Sequence, residues 1–133
     1  MREIKFRAWW IKEKVMINDL EAIYPKGKCA GILGIKKIKG ESLWNFEDIE
    51  IMQFTGLHDK NGKEIWEGDI VKTLQPDEIG TVEYVDIRAS FELKIKGQYY
   101  YQPLAKWKKH LLEVIGNIYE NPELLLGVAG GLQ

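Results

Sequence analysis

Hydrophobic and polar residues alternate along much of the chain, and this period of two predicts β-strands. Near the N-terminus, Ile4, Phe6 and Ala8 would share one face of a strand whose other face carries charged residues. The segment 48–54 alternates in the same way until Met52 shifts the phase, which indicates a bulge or a change of register. Both segments therefore predict half-buried strands.

The strongest turn signal is Asn61-Gly62, a dipeptide that supplies the positive φ angles of a tight hairpin. It predicts that residues 51–57 pair with residues 63–66. Further short strands between turn signals are expected at 69–74, 80–87, 91–95, 98–101 and 111–119. This regular spacing favours a mostly β fold, built as one or two small antiparallel barrels, over alternating strands and helices.

Helix is scarce, and the sequence predicts only short helical turns at 103–110 and 121–125, each with a proline near its start. The stretch from Pro25 to Gly40 holds four glycines and five lysines but no acidic residue, which is typical of a long exposed loop or an irregular hairpin. We therefore expect a single domain over residues 1–133, with residues 20–46 as a variable insertion or loop region.

Length and charge narrow the class of protein further. The 133 residues suffice for one compact domain with a real core. With 19 basic and 20 acidic side chains the net charge is -1, which excludes a polybasic protein but not a local basic face. The single cysteine, Cys29, excludes an internal disulfide and suits a reducing compartment. No segment is typical of a signal peptide or a membrane span, so we expect a cytoplasmic protein.

Catalytic and metal-binding motifs are weak. The two serines, Ser42 and Ser90, lie outside any nucleophile elbow, and no phosphate-binding glycine loop is present. Asp59 and Asn61 resemble the start of a calcium loop, but the glycine comes too early, so they are better explained as turn residues. Asp69 is expected to cap a second turn in the same way. The sequence thus predicts no catalytic residue, metal or cofactor, and no enzyme.

Lysines are concentrated in two blocks, one at residues 26–39 and one at residues 94–109. The second block includes tyrosines and a tryptophan on which nucleic-acid bases could stack. The candidate nucleic-acid-binding residues are Lys94, Lys96, Tyr99, Tyr101, Lys106, Trp107, Lys108 and Lys109. The alternative is that alternating lysines mark the solvent face of an edge strand, where they discourage pairing with other chains.

The adjacent residues Trp9 and Trp10 break the alternation of the first strand. One of the two indoles should face outward unless a bulge, another element or a second subunit covers it. A covered patch of this kind would be a protein interface, so Trp9 and Trp10 are candidate interface residues. Local cover within the chain is the alternative.

Three segments carry a resemblance to a known family: MREIKFRAW at 1–9, IMQFTGLHDKNGKEIWEGDIV at 51–71 and EVIGNIYENPELL at 113–125. On these segments the chain resembles the YopX family, small proteins encoded in phages and prophages of low-GC Gram-positive bacteria. The resemblance implies an SH3-like β-barrel, in agreement with the strand spacing. It implies no enzymatic activity, cofactor or functional residue, and a fold alone does not define a function.

Two functions remain as expectations. The first is a non-enzymatic binding or assembly module of a phage or prophage, which forms homo-oligomers through exposed aromatic and edge-strand surface in the bacterial cytoplasm. The second is a nucleic-acid-binding β-barrel that uses the lysine and aromatic residues of the second block. The sequence does not identify the protein or nucleic-acid partner, and a membrane partner is not expected.

Overall fold

The fold is mostly β and antiparallel, as the sequence predicts. A computed structural model describes residues 3–34, 36–98 and 100–130. Within them the strands pair in antiparallel fashion, and the one α-helix, α1, is short and spans Glu123–Gly130. The chain divides into two compact units, residues 1–54 and 55–133.

The first unit contains two sheets. In one, β1 lies between β2 and the first part of β6; in the other, β4 lies between β3 and β5. The strand bounds are Phe6–Trp10 for β1, Val15–Leu20 for β2, Ala22–Tyr24 for β3, Cys29–Gly31 for β4, Leu43–Asn45 for β5 and Ile49–His58 for β6. The core of this unit consists of Ala8, Ile17, Leu20, Ala30, Ile32, Trp44 and Ile49. Three short strands thus lie within the segment 20–46. The described residues between β4 and β5, which are 32–34 and 36–42, have irregular backbone with one bridge, Ile38 to Glu41.

Strand β1 differs from its prediction because both of its faces are covered. Arg7, Ala8 and Trp9 are three successive buried residues, and Arg7 is only 8% exposed although it belongs to the predicted charged face. The expected change of register at Met52 is also wrong, since β6 pairs with β1 from Ile49 onward without a shift. Both differences have the same cause. A strand that is covered on both faces does not need to alternate apolar and polar residues, so a break in that alternation requires no change of register.

The shift in register lies in β2 instead. Phe6 of β1 is opposite Leu20, whereas Ala8 is opposite Ile17, so three steps along β2 match two along β1. This mismatch is a β-bulge, which places one extra residue in the segment 18–19. The bulge lies in a strand that forms the edge of its sheet.

The second unit is built on a five-stranded sheet of order β11-β10-β9-β8-β12. The bounds are Glu64–Trp66 for β7, Asp69–Thr73 for β8, Glu78–Val85 for β9, Ser90–Ile95 for β10, Tyr101–Pro103 for β11 and Leu112–Asn117 for β12. The short helical turns predicted before β12 are 3-10 turns at Leu104–Lys106 and Lys109–Leu111. As far as the residues are described, β11 and β12 remain the two edges, so this sheet is open rather than a closed barrel.

The strands of the second unit agree with their predictions more closely than those of the first unit do. The predicted strands at 69–74, 80–87, 91–95 and 111–119 are confirmed to within a few residues, whereas the one predicted at 98–101 begins only at Tyr101. Their inward residues form one core of Ile65, Val71, Val82, Leu93, Ile95, Leu104, Leu112 and Val114. Leu93 is directly opposite Val82, so the register of β9 and β10 places apolar side chains on the same face.

Candidate binding surfaces

The hairpin between β6 and β7 is organised by Asp59, which is completely buried. Its Oδ1 accepts hydrogen bonds from the amides of Asn61 at 2.8 Å and Lys63 at 2.9 Å, and its Oδ2 accepts one from Val114 at 2.9 Å. Burial by itself raises the pKa of this carboxyl, but the three amides and the positive Lys63 outweigh it and hold the pKa below its ordinary value. Asp59 therefore has the turn-building role expected for it, and it also fixes β12.

Asp69 caps the following turn. Its Oδ2 accepts a hydrogen bond from the amide of Trp66 at 2.8 Å, and the side chain is almost fully buried. This confirms the predicted capping role, in which a carboxylate satisfies backbone donors in a tight turn.

An ion pair between Arg88, which is half exposed, and Glu92 of β10, which is buried, is the feature that sequence reasoning missed. The Glu92 carboxylate accepts hydrogen bonds from Arg88 Nε at 2.8 Å and Arg88 Nη2 at 2.9 Å, and from the Ser90 hydroxyl at 2.9 Å. The Arg88 hydrogen bonds hold the pKa of Glu92 below its ordinary value, although burial opposes them. No motif marks this pair, since Glu92 has the alternation of a solvent-facing strand residue.

Tyr101, a predicted nucleic-acid contact, is engaged by the same part of the sheet. Its hydroxyl donates a hydrogen bond to Glu83 Oε1 at 3.0 Å, which raises the pKa of Tyr101. The Arg88 guanidinium lies 5.8 Å from the centre of its ring. Tyr101 thus packs within the unit, with its ring and hydroxyl both in contact with charged groups.

The structure brings part of the predicted lysine and aromatic surface together. Lys94 is exposed and directly opposite Tyr101. Lys106 Nζ donates to Gln102 Oε1 at 3.0 Å and lies 5.4 Å from the centre of the Trp107 ring. The pair of Lys94 and Tyr101 thus lies across β10 and β11, and the pair of Lys106 and Trp107 lies at the end of the 3-10 turn that follows β11.

The remaining members of that surface differ in exposure. Lys108 and Lys109 are exposed, whereas Lys96 is half-buried. Lys96 Nζ and Trp107 Nε1 are buried donor atoms with no hydrogen-bond partner among the described residues. Tyr99 lies outside the described residues.

The tryptophan pair of β1 is packed within the first unit. Trp9 is only 9% exposed, and the half-buried ring of Trp10 meets that of Trp44 edge to face, with centres 5.4 Å apart. The next residue, Ile11, is 46% exposed. Residues of the same unit therefore cover most of the surface of the two indoles. The exposed apolar side chain at this place is that of Ile11.

Residues of the edge strand β2 line two cavities in the first unit. The larger, of about 620 Å³, is lined by Ile4, Lys5, Phe6, Asn18, Asp19, Leu20, Glu21, Ala22, Ile23 and Lys36. The smaller, of about 300 Å³, is lined by Met16, Asn18, Asp19, Glu21, Ile32, Lys36, Lys37 and Ile38. Sequence reasoning did not find them, because their walls come from segments far apart in the chain.

In the part of the chain that the structure describes, no three His, Cys, Asp or Glu side chains lie close enough together to hold a metal ion. No helix formed by the described residues is both long and apolar enough to cross a membrane.

Comparison with known proteins gives a family and a structural relative. The family model described as YopX protein matches residues 5–126. The crystal structure of protein EF1440 from Enterococcus faecalis is similar with a TM-score of 0.67 and 31% sequence identity, over 94% of this chain and 99% of that one. No curated protein matches the chain.

Proposed function

Because the chain belongs to the YopX family, we propose that it is a non-enzymatic binding or assembly module that forms homo-oligomers. The observation that carries the proposal is the open edges of the sheets: β2 ends one sheet, and β11 and β12 end another. The free backbone groups of an edge strand can pair with another copy at low cost. The resemblance to phage and prophage proteins favours a role in the cytoplasm of the bacterial host.

The buried carboxylates support a binding role over a catalytic one. Asp59 and Asp69 accept hydrogen bonds from backbone amides, and Glu92 is paired with Arg88. A general acid or base must reach a substrate at the bottom of a pocket. These three groups are instead used to hold turns and strands.

We propose further that the second unit has an SH3-like architecture. Four strands, β8 to β11, follow one another as neighbours, and β12 returns beside β8 after two 3-10 turns. This order, with a 3-10 turn before the last strand, is the arrangement of SH3-like domains, and it supports the assignment. An experimental structure with a different order of these five strands would contradict it.

Light scattering coupled to size exclusion tests the assembly proposal. The protein is run at micromolar concentration at two salt concentrations, alone and with a short DNA duplex or single strand. We expect a discrete oligomer whose mass is the same with and without DNA. A monomer under all these conditions would refute the proposal.

Nucleic-acid binding is the second candidate, favoured by one specific observation. Between Glu92 and Glu113 the chain has five lysines and no acidic residue. Within this stretch Lys94 lies opposite Tyr101 and Lys106 lies over Trp107, which places phosphate-binding charge beside two half-buried aromatic rings. Binding to a single strand that weakens steeply with salt is the expected behaviour.

A charge-matched pair of variants tests this candidate. The double substitution Lys108→Glu and Lys109→Glu should weaken binding to a labelled DNA strand about tenfold or more. The control, Lys12→Glu with Lys14→Glu, changes the net charge by the same amount at exposed positions of the first unit. Equal losses in both proteins, or affinity independent of salt, would rule out this surface.

A further inference from the structure

Strand β2 combines a free edge with a bulge. It pairs with β1 on one side, and it is the last strand of its sheet on the other. Its six residues span about 20 Å at the usual rise per residue. The bulge at residues 18–19 interrupts this edge near its middle, so a second strand can pair along it only in the two short stretches on either side.

The two cavities adjoin each other along β2, and together they are called the β2 groove. Both are lined by the same four residues, Asn18, Asp19, Glu21 and Lys36. Beyond this polar centre each end is lined mainly by apolar side chains and carries one lysine, Lys5 in the larger cavity and Lys37 in the smaller. The larger end contains Ile4, Phe6 and Ile23, and the smaller contains Met16, Ile32 and Ile38. Ile4 is 58% exposed, so one end of the groove leaves a large aliphatic side chain in water.

The polar centre of the groove carries one acid and one base that are both free. Asp19 and Lys36 are exposed, and within the described part of the chain neither has an ion-pair or hydrogen-bond partner. Glu21 is already used, because its Oε1 accepts a hydrogen bond from the Leu33 amide at 2.7 Å. That bond connects the segment before Lys36 to the residue that follows β2.

Such a groove is complementary to itself. In a two-fold interface the same patch meets its own copy, so a residue i that contacts j is matched by a residue j that contacts i. A free acid and a free base in one groove then give two opposite-charge contacts. A partner carrying only one sign of charge would leave one of the two groups facing its own charge.

We infer that the β2 groove binds a second copy of this chain, with the two β2 strands antiparallel across a two-fold axis and Asp19 of each copy facing Lys36 of the other. The inference rests on the proposed self-association and names the surface that performs it. The apolar side chains at the two ends of the groove would be covered by the same contact.

Charge reversal tests the contact. Asp19→Lys places lysine against lysine twice in a homodimer, and Lys36→Asp places acid against acid twice, so each single variant should raise the dimer dissociation constant about a hundredfold or more. The double variant, Asp19→Lys with Lys36→Asp, has opposite charges facing again and should recover the wild-type constant to within about tenfold.

Mixing the two single variants provides the sharpest measurement. In a mixed dimer both contacts pair a lysine with an acid, so an equimolar mixture should form a heterodimer although each variant alone is monomeric. Sedimentation velocity with one labelled variant gives the mass directly. The control variants Asp48→Lys and Lys12→Asp alter exposed charges of the same unit outside the groove and should leave the mass unchanged.

The outcomes separate this inference from the proposed function. A wild-type protein that is monomeric up to high micromolar concentration refutes both. An oligomeric wild type whose mass is unaffected by Asp19→Lys and by Lys36→Asp refutes the groove as the interface, while self-association stands. Circular dichroism tests whether each variant is folded. If a charge-reversal variant is not folded, the single variant Asp19→Asn or Lys36→Gln takes its place, and each of these should raise the dimer dissociation constant by less than charge reversal does.

Discussion

The buried carboxylates Asp59, Asp69 and Glu92 accept hydrogen bonds from backbone amides or from an arginine. Asp59 accepts three backbone hydrogen bonds, and one of them comes from Val114, fifty-five positions along the chain. A carboxylate without such donors would be costly to bury. The same side chain therefore shapes a local turn and connects it to the last strand.

Replacing Asp59 by Asn should destabilise the fold through one specific atom. The amide group would keep one acceptor oxygen, but its NH₂ would face the buried N–H of Val114 or of Lys63. We expect the free energy of unfolding to fall by about 2–3 kcal/mol at pH 7, measured by urea denaturation. The control Asp77→Asn, at an exposed side chain, should cost little.

The same residue predicts a pH dependence. Since the pKa of Asp59 is lower in the folded chain than its ordinary value, its ionised form contributes stability at pH values above about 4. This contribution is lost as pH falls toward the lower, folded-state pKa. Stability of Asp59→Asn should therefore decline less steeply below about pH 4 than that of the wild type, and identical slopes would contradict the assignment.

The Arg88–Glu92 pair allows a second test at single residues. Arg88→Ala leaves the buried Glu92 carboxylate with only the Ser90 hydroxyl, so the melting temperature should fall by about 5 °C. Combining it with Glu92→Gln removes the uncompensated charge and should restore part of the loss in a double-mutant cycle. Additive losses would indicate that the two side chains do not act as a pair.

At the level of elements, local signals predicted the turns and most strands. Gly62 has a φ of +80°, and the turn that contains it and the preceding asparagine connects β6 to β7. Burial on both faces of β1 could not be predicted, because it depends on strands and loops distant in sequence. The same holds for Tyr101, whose Glu83 partner lies eighteen positions away.

The groove along β2 shows the same limit at the site. Its free charges, Asp19 and Lys36, are seventeen positions apart and belong to no motif. Lys36 lies within the segment 20–46, which the sequence predicts to be a loop region although it contains β3, β4 and β5. The lysine and aromatic stretch was visible in the sequence because its residues are neighbours. Its pairing on β10 and β11 follows from the register of one hairpin.

The end of β12 depends on close contact with the chain that follows it. A Cβ built on Gly116 would lie 2.6 Å from Asn121 Oδ1, the atom that accepts the hydrogen bond of the Asn117 amide. Gly116→Ala should therefore lower the free energy of unfolding by about 1–3 kcal/mol in a urea titration. Gly27→Ala is the control, since the nearest atom there is at 3.4 Å and an added methyl group fits.

For the whole molecule, self-association implies that stability depends on concentration. Anything that binds the folded state alone raises the melting temperature, and for a second copy the stabilisation grows with the logarithm of the protein concentration. We expect the melting temperature to rise by a few degrees over a hundredfold increase in protein concentration, and to stay constant for Asp19→Lys.

A reducing agent serves as the control for that measurement. Cys29 is the single cysteine and is partly exposed, so a disulfide between copies would also produce a dimer. The concentration dependence should be the same with and without dithiothreitol. Its loss in dithiothreitol would assign the association to oxidation instead of strand pairing.

The bulge in β2 also bears on whether the protein aggregates. A long, regular edge strand is a template on which chains can add without limit, and the product is a fibril with a cross-β repeat. The three-against-two mismatch between β2 and β1 twists and interrupts that template near its middle. Deleting Asn18 would restore a continuous ladder, so the deletion variant is expected to bind thioflavin T on prolonged incubation while the wild type does not.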